Sequence, residues 1–240
     1  DSVKLAEEIR DVRRVARGAR LQVAIVGEVA FPIKGSDNYL ALLRASAGLP
    51  VDWHFFGTTD ALDFQGQVEA IAGLSVKFHG RYQREAIIDL LARTSIDLCV
   101  LLPEVDETFS FVLSEVVIAG VPVIVNRKGA LPERVEAGKF GVVVDGAEGA
   151  RAALAALSQD PTPLDAWAQH ARDFRHASVA ESAGELRQLY ESLGFLRSDP
   201  QPVPFKAALL EELSTRRIVP VPPEPPPAPP QPPPYQRQWW

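Results

Sequence analysis

Short apolar runs rich in β-branched residues alternate with helix-patterned segments, and this alternation constrains the fold more than any other feature. The strand-like runs are "LQVAIVG", "VDWHFFG", "LSVKFHG", "IDLCVLL", "VPVIV" and "GVVVD". A run as apolar as "IDLCVLL" is typical of a strand buried on both faces of a sheet. Strands separated by helical segments of this length form βαβ units. We therefore predict an α/β fold, a Rossmann-like doubly wound parallel sheet of about six strands.

The chain changes character twice along its 240 residues. Residues 1–20 carry an amphipathic helical pattern with no initiator methionine, and we interpret them as a leading helix or linker of a chain cut from something longer. Residues 21–195 hold the predicted domain. Residues 196–240 begin with one short helix and continue as a proline-rich tail, a composition that favours polyproline II.

Composition excludes several classes of protein. A net charge of −6 argues against a nucleic-acid backbone as the main partner. The single cysteine, Cys99, cannot form a disulfide within one chain and is predicted to be a core residue. No apolar run reaches the roughly 20 residues of a membrane-spanning helix, and no signal peptide opens the chain. We expect a cytoplasmic protein, with peripheral attachment to the inner face of a membrane as an alternative.

The stretch "ETFSFVLSE" places Glu107 and Glu115 at the ends of an otherwise apolar segment. Its β-branched residues favour a strand, but it lies between two predicted parallel strands, which require a crossover helix between them. We predict that Thr108 caps this helix. Glu107 would then lie in the loop at the carboxyl end of a buried strand, where open α/β sheets bind ligands.

A helix that begins here would offer free amides to an anion. The two carboxylates could accept hydrogen bonds from vicinal hydroxyls, so the segment could hold two polyols with an anion between them. The alternative interpretation is that Glu107 stabilises a helix N-terminus and that Glu115 is a solvated helix residue. The spacing by itself leaves both interpretations open. Because no HxxH, CxxC or paired-carboxylate spacing occurs, we expect neither a metal nor a cofactor.

The longer stretch "LLPEVDETFSFVLSEVVIAGVPVIVNRKGALPERVEAGKFGVVVD" resembles the donor-binding, C-terminal half of the GT-B glycosyltransferases of the retaining "group 1" family. That family carries an E-x7-E motif after a buried strand and a proline, followed by "AxxxGxPVI", a glycine-rich turn and "xxExV". Upstream, "VGEVAFPIKG" is similar to the family's first strand and loop. The resemblance covers about Leu21 to Leu193.

The resemblance implies two catalytic residues, Glu107 and Lys34. Glu107 would hydrogen-bond the hydroxyls of the donor sugar, and Lys34 would neutralise the diphosphate of the leaving nucleotide. The implied reaction is hexosyl transfer with retention at the anomeric carbon, of the kind used in polysaccharide biosynthesis. The partners implied are a nucleotide-sugar donor and an N-terminal acceptor-binding domain.

Further donor contacts follow from the same resemblance. Glu115 would bind the ribose hydroxyls, and Gly27 would let the backbone approach the donor. The base would stack near Arg81 and Tyr82. The backbone amides expected to face the sugar and the diphosphate belong to Phe109, Ser110 and Phe111.

Two positions depart from the family pattern. Glu28 stands where the family has an arginine that serves as a second diphosphate cation, and Ser110 stands where it has a glycine. These departures keep a second function open, that of a degenerate, non-catalytic module that binds a partner. A sugar-nucleotide epimerase ranks last, because that class lacks the glutamate pattern.

Four other polar residues receive provisional interpretations. His54 is interpreted as a strand residue whose polar atoms are satisfied locally. His79, next to Gly80 at a strand end, is interpreted as either a strand residue or a site-lining one. Glu133 and Arg134 are interpreted as capping or surface residues of "LPERV".

The tail offers a possible interaction motif. Residues 222–235, "PPEPPPAPPQPPPY", contain PxxP spacings and a PPxY pattern of the kind that WW-type grooves read. The alternatives are a stiff spacer and a tail anchored on an apolar surface by Tyr235, Trp239 or Trp240.

Overall fold

A computed structural model describes residues 18–175 and 177–194. The chain divides into two compact units, with the division between Ser178 and Val179. In the described part of the second unit there is one helix. The domain boundaries at 20/21 and 195/196 stay predictions, and the predicted tail motif with its aromatic anchors lies outside the described residues.

The first unit is built from six strands, seven α-helices and three short 3₁₀ helices in its described part. The strands are β1 (Leu21–Val26), β2 (Val51–Phe56), β3 (Ser75–Gly80), β4 (Leu98–Leu101), β5 (Val123–Asn126) and β6 (Gly141–Val144). The helices are α1 (Ser36–Ala45), α2 (Phe64–Glu69), α3 (Ile87–Arg93), α4 (Phe111–Ile118), α5 (Leu131–Gly138), α6 (Gly146–Gln159) and α7 (Thr162–Asp173). The second unit contributes α8 (Val179–Ser192).

The strands form one parallel sheet in the order β3-β2-β1-β4-β5-β6. This order confirms the predicted Rossmann-like, doubly wound α/β fold. The chain moves outward from β1 to β3 and then returns to place β4 beside β1. The loops after β1 and β4 therefore leave the sheet in opposite directions, and a crevice opens between them at the carboxyl ends of the strands.

Both faces of the sheet are covered, which explains why its central strands β1 and β4 are almost entirely apolar. On β1, Val23 and Ile25 belong to one hydrophobic cluster while Ala24 and Val26 belong to the other. Cys99 is fully buried in the second cluster, as predicted, and burial raises the pKa of its thiol. No helix among the described residues has the length and apolarity to cross a membrane.

Two side chains tie the strand ends together beside the crevice. The Tyr39 hydroxyl accepts a hydrogen bond from the Leu102 amide at 3.0 Å. The buried Asn126 side chain donates to the Pro103 carbonyl at 3.1 Å and accepts from the Gly146 amide at 3.0 Å. The carboxyl ends of β4, β5 and β6 are therefore held by one amide side chain.

Gly35 lets the loop after β1 pass directly over the end of β4. Its φ is +92°, and a Cβ atom there would lie 1.9 Å from the Leu102 carbonyl oxygen. No side chain fits without moving one of the two backbones. The atoms that crowd Gly35 are backbone atoms of Leu102 and Pro103, not a flexible side chain. This glycine therefore positions the first loop of the site.

We expect Gly35→Ala to lower the free energy of unfolding by about 2–5 kcal/mol, because it adds overpacking to the cost of a left-handed alanine. Gly48→Ala is the matched control: Gly48 also has a positive φ, +86°, but a Cβ atom added there would meet nothing within 4 Å. It should cost only about 1–2 kcal/mol. Urea denaturation measures both, and equal losses would contradict the close approach.

Candidate functional site

A pocket of about 360 Å³ opens at the carboxyl ends of β1, β2 and β3, against the first turns of α4. Five of the predicted donor-binding residues line it: Gly27, Arg81, Tyr82, Phe111 and Glu115. The other lining residues are Glu28, Gly57, Thr58, Arg84 and Val112. The volume lies in the range of small-molecule sites.

Glu115 is the most enclosed acid of this pocket, and its partner is an arginine that sequence reasoning missed. The Arg84 Nε donates to Glu115 Oε1 at 2.7 Å, with the carboxylate side chain 12% exposed and the arginine 61% exposed. The guanidinium carbon also lies 4.6 Å from the centre of the Phe111 ring. Burial, and after it the Glu115 charge, raises the pKa of Tyr82 to about 12. The interpretation of Glu115 as a solvated residue is wrong.

The helix that carries Glu115 begins later than the sequence predicts. Its first residue is Phe111 and its N-cap is Ser110, so the prediction that Thr108 caps it is wrong. The Ser110 Oγ accepts a hydrogen bond from the Leu113 amide at 3.3 Å. Ser110 has φ +63° and ψ +93°, a conformation that costs a non-glycine residue energy. The capping bond therefore offsets part of the strain that a glycine would avoid.

Arg134 fixes the loop in front of this helix. Its guanidinium donates to the carbonyl oxygens of Phe109 and Ser110 and, at 2.9 Å, to the Ser114 Oγ. It also lies 4.3 Å from the centre of the Phe109 ring, and burial lowers its pKa. Arg134 thus caps this loop from α5 rather than decorating the surface of its own helix.

The two residues predicted to be catalytic form an ion pair away from the pocket lining. Lys34, in the loop after β1, lies 3.3 Å from Glu107, in the loop after β4, so the pair bridges the two sides of the crevice. The glutamate side chain is 24% exposed and the lysine side chain 44%.

Backbone contacts hold Glu107 in place. Its carbonyl oxygen accepts from the Ala130 amide at 2.7 Å, and the neighbouring Asp106 accepts from the Gly129 amide at 2.9 Å. A Cβ on Gly129 would lie 2.2 Å from the Glu107 carbonyl oxygen. The glycine-rich turn after β5 therefore supports the glutamate directly.

The two histidines do not line the pocket. His54 Nε2 donates to Gln22 Oε1 at 2.9 Å, so in the neutral ring its Nδ1 accepts from His79 Nε2 at 2.9 Å. The Gln22 amide nitrogen donates onward to Asp52 at 2.9 Å. His54 is thus a locally satisfied strand residue, as interpreted, and His79 belongs to the same network. Across residues 18–175 and 177–194, no group of three His, Cys, Asp or Glu side chains could hold a metal ion.

The fold resembles that of several solved glycosyltransferases. Sucrose-phosphate synthase from Thermosynechococcus elongatus aligns at 24% identity with a TM-score of 0.59, over 76% of this chain and 49% of that one. Anabaena HepE, solved in complex with UDP and glucose, aligns at 20% identity with a TM-score of 0.55, over 81% and 52%. The C-terminal domain of a group 1 glycosyl transferase from Francisella tularensis aligns at 19% identity with a TM-score of 0.52, over 64% and 83%.

Sequence comparisons agree with the fold. A D-inositol 3-phosphate glycosyltransferase from Corynebacterium diphtheriae is 38% identical over 103 residues, which is 40% of this chain and 23% of that protein. Its counterpart from Corynebacterium kroppenstedtii is 36% identical over 97 residues, 38% and 21% respectively. The chain thus spans about a fifth of these relatives and about half of most of the solved chains.

The sheet order and these similarities define the class: the chain has the fold of the C-terminal domain of a GT-B glycosyltransferase. The family described as "Glycosyl transferases group 1" matches residues 4–160, and the chain belongs to this family.

We expect Ser110→Ala to lower the free energy of unfolding by about 1 kcal/mol, because it removes the cap and keeps the strained backbone. Ser110→Gly should be more stable than Ser110→Ala by about 1–2 kcal/mol, because glycine loses the cap but tolerates the positive φ. Thermal and urea denaturation of both variants measure the difference. Equal stability of the two would mean that residue 110 does not keep this conformation in solution.

Stability should fall as the pH is lowered through the range of the histidine pair. Burial, followed by the charges of His79 and Lys77, lowers the pKa of His54 from 6.5 to about 4, while Asp52 opposes this shift. The pKa of His79 is also lowered, by burial and Lys77. Both pKa values are lower in the folded state, so the unfolded chain binds protons first as the pH falls below about 6.5.

We therefore expect wild type to lose about 2 kcal/mol of unfolding free energy through His54 between about pH 7 and pH 5. Below about pH 4 this contribution stays constant. His54→Gln should be less stable at pH 7 but should show a shallower loss over the same interval. Urea denaturation at several pH values gives the dependence of the unfolding free energy on pH for both proteins. Equal dependences would contradict the lowered pKa of His54.

Proposed function

We propose that this chain is the donor-binding domain of a retaining glycosyltransferase and that its pocket holds the nucleotide of a nucleotide-diphosphate sugar. The observation that carries this proposal is Glu115, a largely buried carboxylate that faces a pocket at the carboxyl edge of the sheet. A buried acid is costly unless it is paired. Arg84 takes its Oε1, and within the described residues no hydrogen bond to its Oε2 occurs. Two vicinal ribose hydroxyls would suit that oxygen.

The Lys34–Glu107 pair supports the second half of the proposal. A donor whose nucleoside lies in the pocket would carry its diphosphate past the mouth of the pocket and its sugar into the crevice between the loops after β1 and β4. Lys34 would then stabilise the negative charge that grows on the departing diphosphate, and Glu107 would accept hydrogen bonds from sugar hydroxyls. The crevice needs no metal ion for either task.

A second domain would supply the acceptor site, as the likeness to one half of the solved glycosyltransferases suggests. HepE, one of these structural neighbours, binds UDP and glucose. That likeness supports a nucleotide-sugar donor here, without specifying its base or its sugar. On this proposal the chain alone binds the donor and transfers no sugar to an added glycoside acceptor.

We expect Glu107→Ala and Glu115→Ala to weaken donor binding in different ways. A hydrogen bond to a charged group contributes about 1.5–3 kcal/mol, so each loss should weaken binding by about one to two decades. Glu115→Ala should weaken the free nucleoside diphosphate and the nucleotide sugar alike. Glu107→Ala should not weaken the nucleoside diphosphate, because loss of the ion pair leaves Lys34 free, and should weaken only the sugar-bearing form.

Calorimetry with UDP, GDP and ADP and their glucose derivatives tests these expectations. Glu136→Ala is the control, because this glutamate is 63% exposed and lies outside the pocket. Unchanged affinities in both site variants, or no binding of any of these nucleotides by wild type, would refute the proposal.

A further inference from the structure

Among the residues that the structure describes, one of the acids that line the pocket has no cationic partner, which is unfavourable for an anionic ligand. Its lining carries two acids, Glu28 and Glu115, and two arginines, Arg81 and Arg84. Glu115 is paired with Arg84, whereas Glu28 takes part in no ion pair within the part of the chain that the structure describes. A diphosphate that enters this pocket therefore meets the unpaired Glu28 carboxylate, so positive charge beyond that of Lys34 would have to come from the arginines of the pocket.

Arg84 is held so that it can supply that charge. Its Nε is bound to Glu115 at 2.7 Å and its guanidinium carbon lies 4.6 Å from the centre of the Phe111 ring, which restricts the side chain on two sides. A guanidinium group has five N–H donors, and the contact with Glu115 uses the one on Nε. Among the described residues, none accepts a hydrogen bond from its two terminal nitrogens. They belong to a side chain that is 61% exposed at the pocket.

Building on the proposed function, we infer that Arg84 is a donor-binding residue whose terminal nitrogens hold the diphosphate. In this role it offsets the negative charge of Glu28. The guanidinium fork matches the geometry of phosphate oxygens and binds them in a bidentate manner. A nucleotide that binds Glu115 through its ribose would carry its first phosphate on that same ribose, and hence near the guanidinium group that is paired with Glu115.

A simpler role for Arg84 would be to orient the Glu115 carboxylate and nothing more. The two roles differ in what they predict for ligands without phosphate. An arginine that only orients Glu115 affects a nucleoside and its diphosphate by the same factor. An arginine that binds phosphate affects the diphosphate far more, and a new positive charge on the opposite side of the pocket can replace it.

The test uses Arg84→Gln, Arg84→Lys and the double variant Glu28→Arg/Arg84→Gln, with Arg93→Gln as the control. Arg93 is 77% exposed, pairs with Asp89 on α3 and does not line the pocket. Calorimetry with UDP, GDP and ADP, and with uridine, guanosine and adenosine, gives the affinities at low and high salt. The melting temperature of each variant checks that the fold is intact.

We expect Arg84→Gln to weaken binding of the diphosphate that wild type prefers by tenfold or more and to weaken the matching nucleoside by less than about threefold. Arg84→Lys should lose less than Arg84→Gln, because it keeps the charge but not the fork. The double variant should recover to within about threefold of wild type, and Arg93→Gln should match wild type. Salt should weaken wild type more steeply than Arg84→Gln, because salt screens exposed charges.

Two results would overturn the inference in distinguishable ways. If wild type binds a diphosphate but Arg84→Gln binds it equally well, or loses the nucleoside by the same factor without rescue by Glu28→Arg, the role of Arg84 is refuted and the proposed function stands. If wild type binds none of the nucleotides, the proposed function fails and the inference fails with it.

Discussion

The site depends on one close approach, the passage of the loop after β1 over the end of β4. Gly35 lies against the Leu102 carbonyl at a distance that excludes any side chain, and the Tyr39 hydroxyl binds the Leu102 amide from the same side. The parallel sheet creates the crevice at this point, because the chain reverses its direction of winding between β1 and β4. The glycine then sets how far Lys34 stands from Glu107. The contact thus adds to the pairing of β1 with β4 in holding the two sides of the crevice at a fixed separation.

The fold could be predicted from the sequence because its strongest signals are local. In "IDLCVLL" every residue after Asp97 is apolar, as a strand covered on both faces must be, and the apolar clusters on the two faces confirm this. The helix after it was predicted against its own β-branched composition, because parallel neighbours require a crossover. Its start was misplaced, since Thr108 and Ser110 are equally good caps by residue type. Only the backbone at Ser110 decides between them, and propensity cannot foresee a positive φ at a serine.

The site could be predicted only as far as its residues follow strand ends. Gly27, Tyr82 and Glu115 meet in one pocket because the carboxyl ends of parallel strands share an edge of the sheet. Arg84 was missed, and the contacts of Arg134 with another helix were not foreseen, because each acts on a segment 20 or more residues away, through a side chain that reaches across from another element. No spacing rule describes such contacts, since they depend on how neighbouring helices pack. They nevertheless decide the charge and the rigidity of the site.

On the proposed function, the ion pair between Lys34 and Glu107 would make the crevice selective before any ligand arrives. Each charge already has a partner 3.3 Å away, so a ligand that offers only an anion must separate Lys34 from a glutamate that it leaves unmatched. A ligand that offers only hydroxyl groups would separate Glu107 from Lys34 and leave the lysine charge unpaired. A molecule that carries both groups at the right separation compensates both losses at once. On the proposed function, the pair would therefore disfavour free phosphates and free sugars relative to a molecule in which the two are joined.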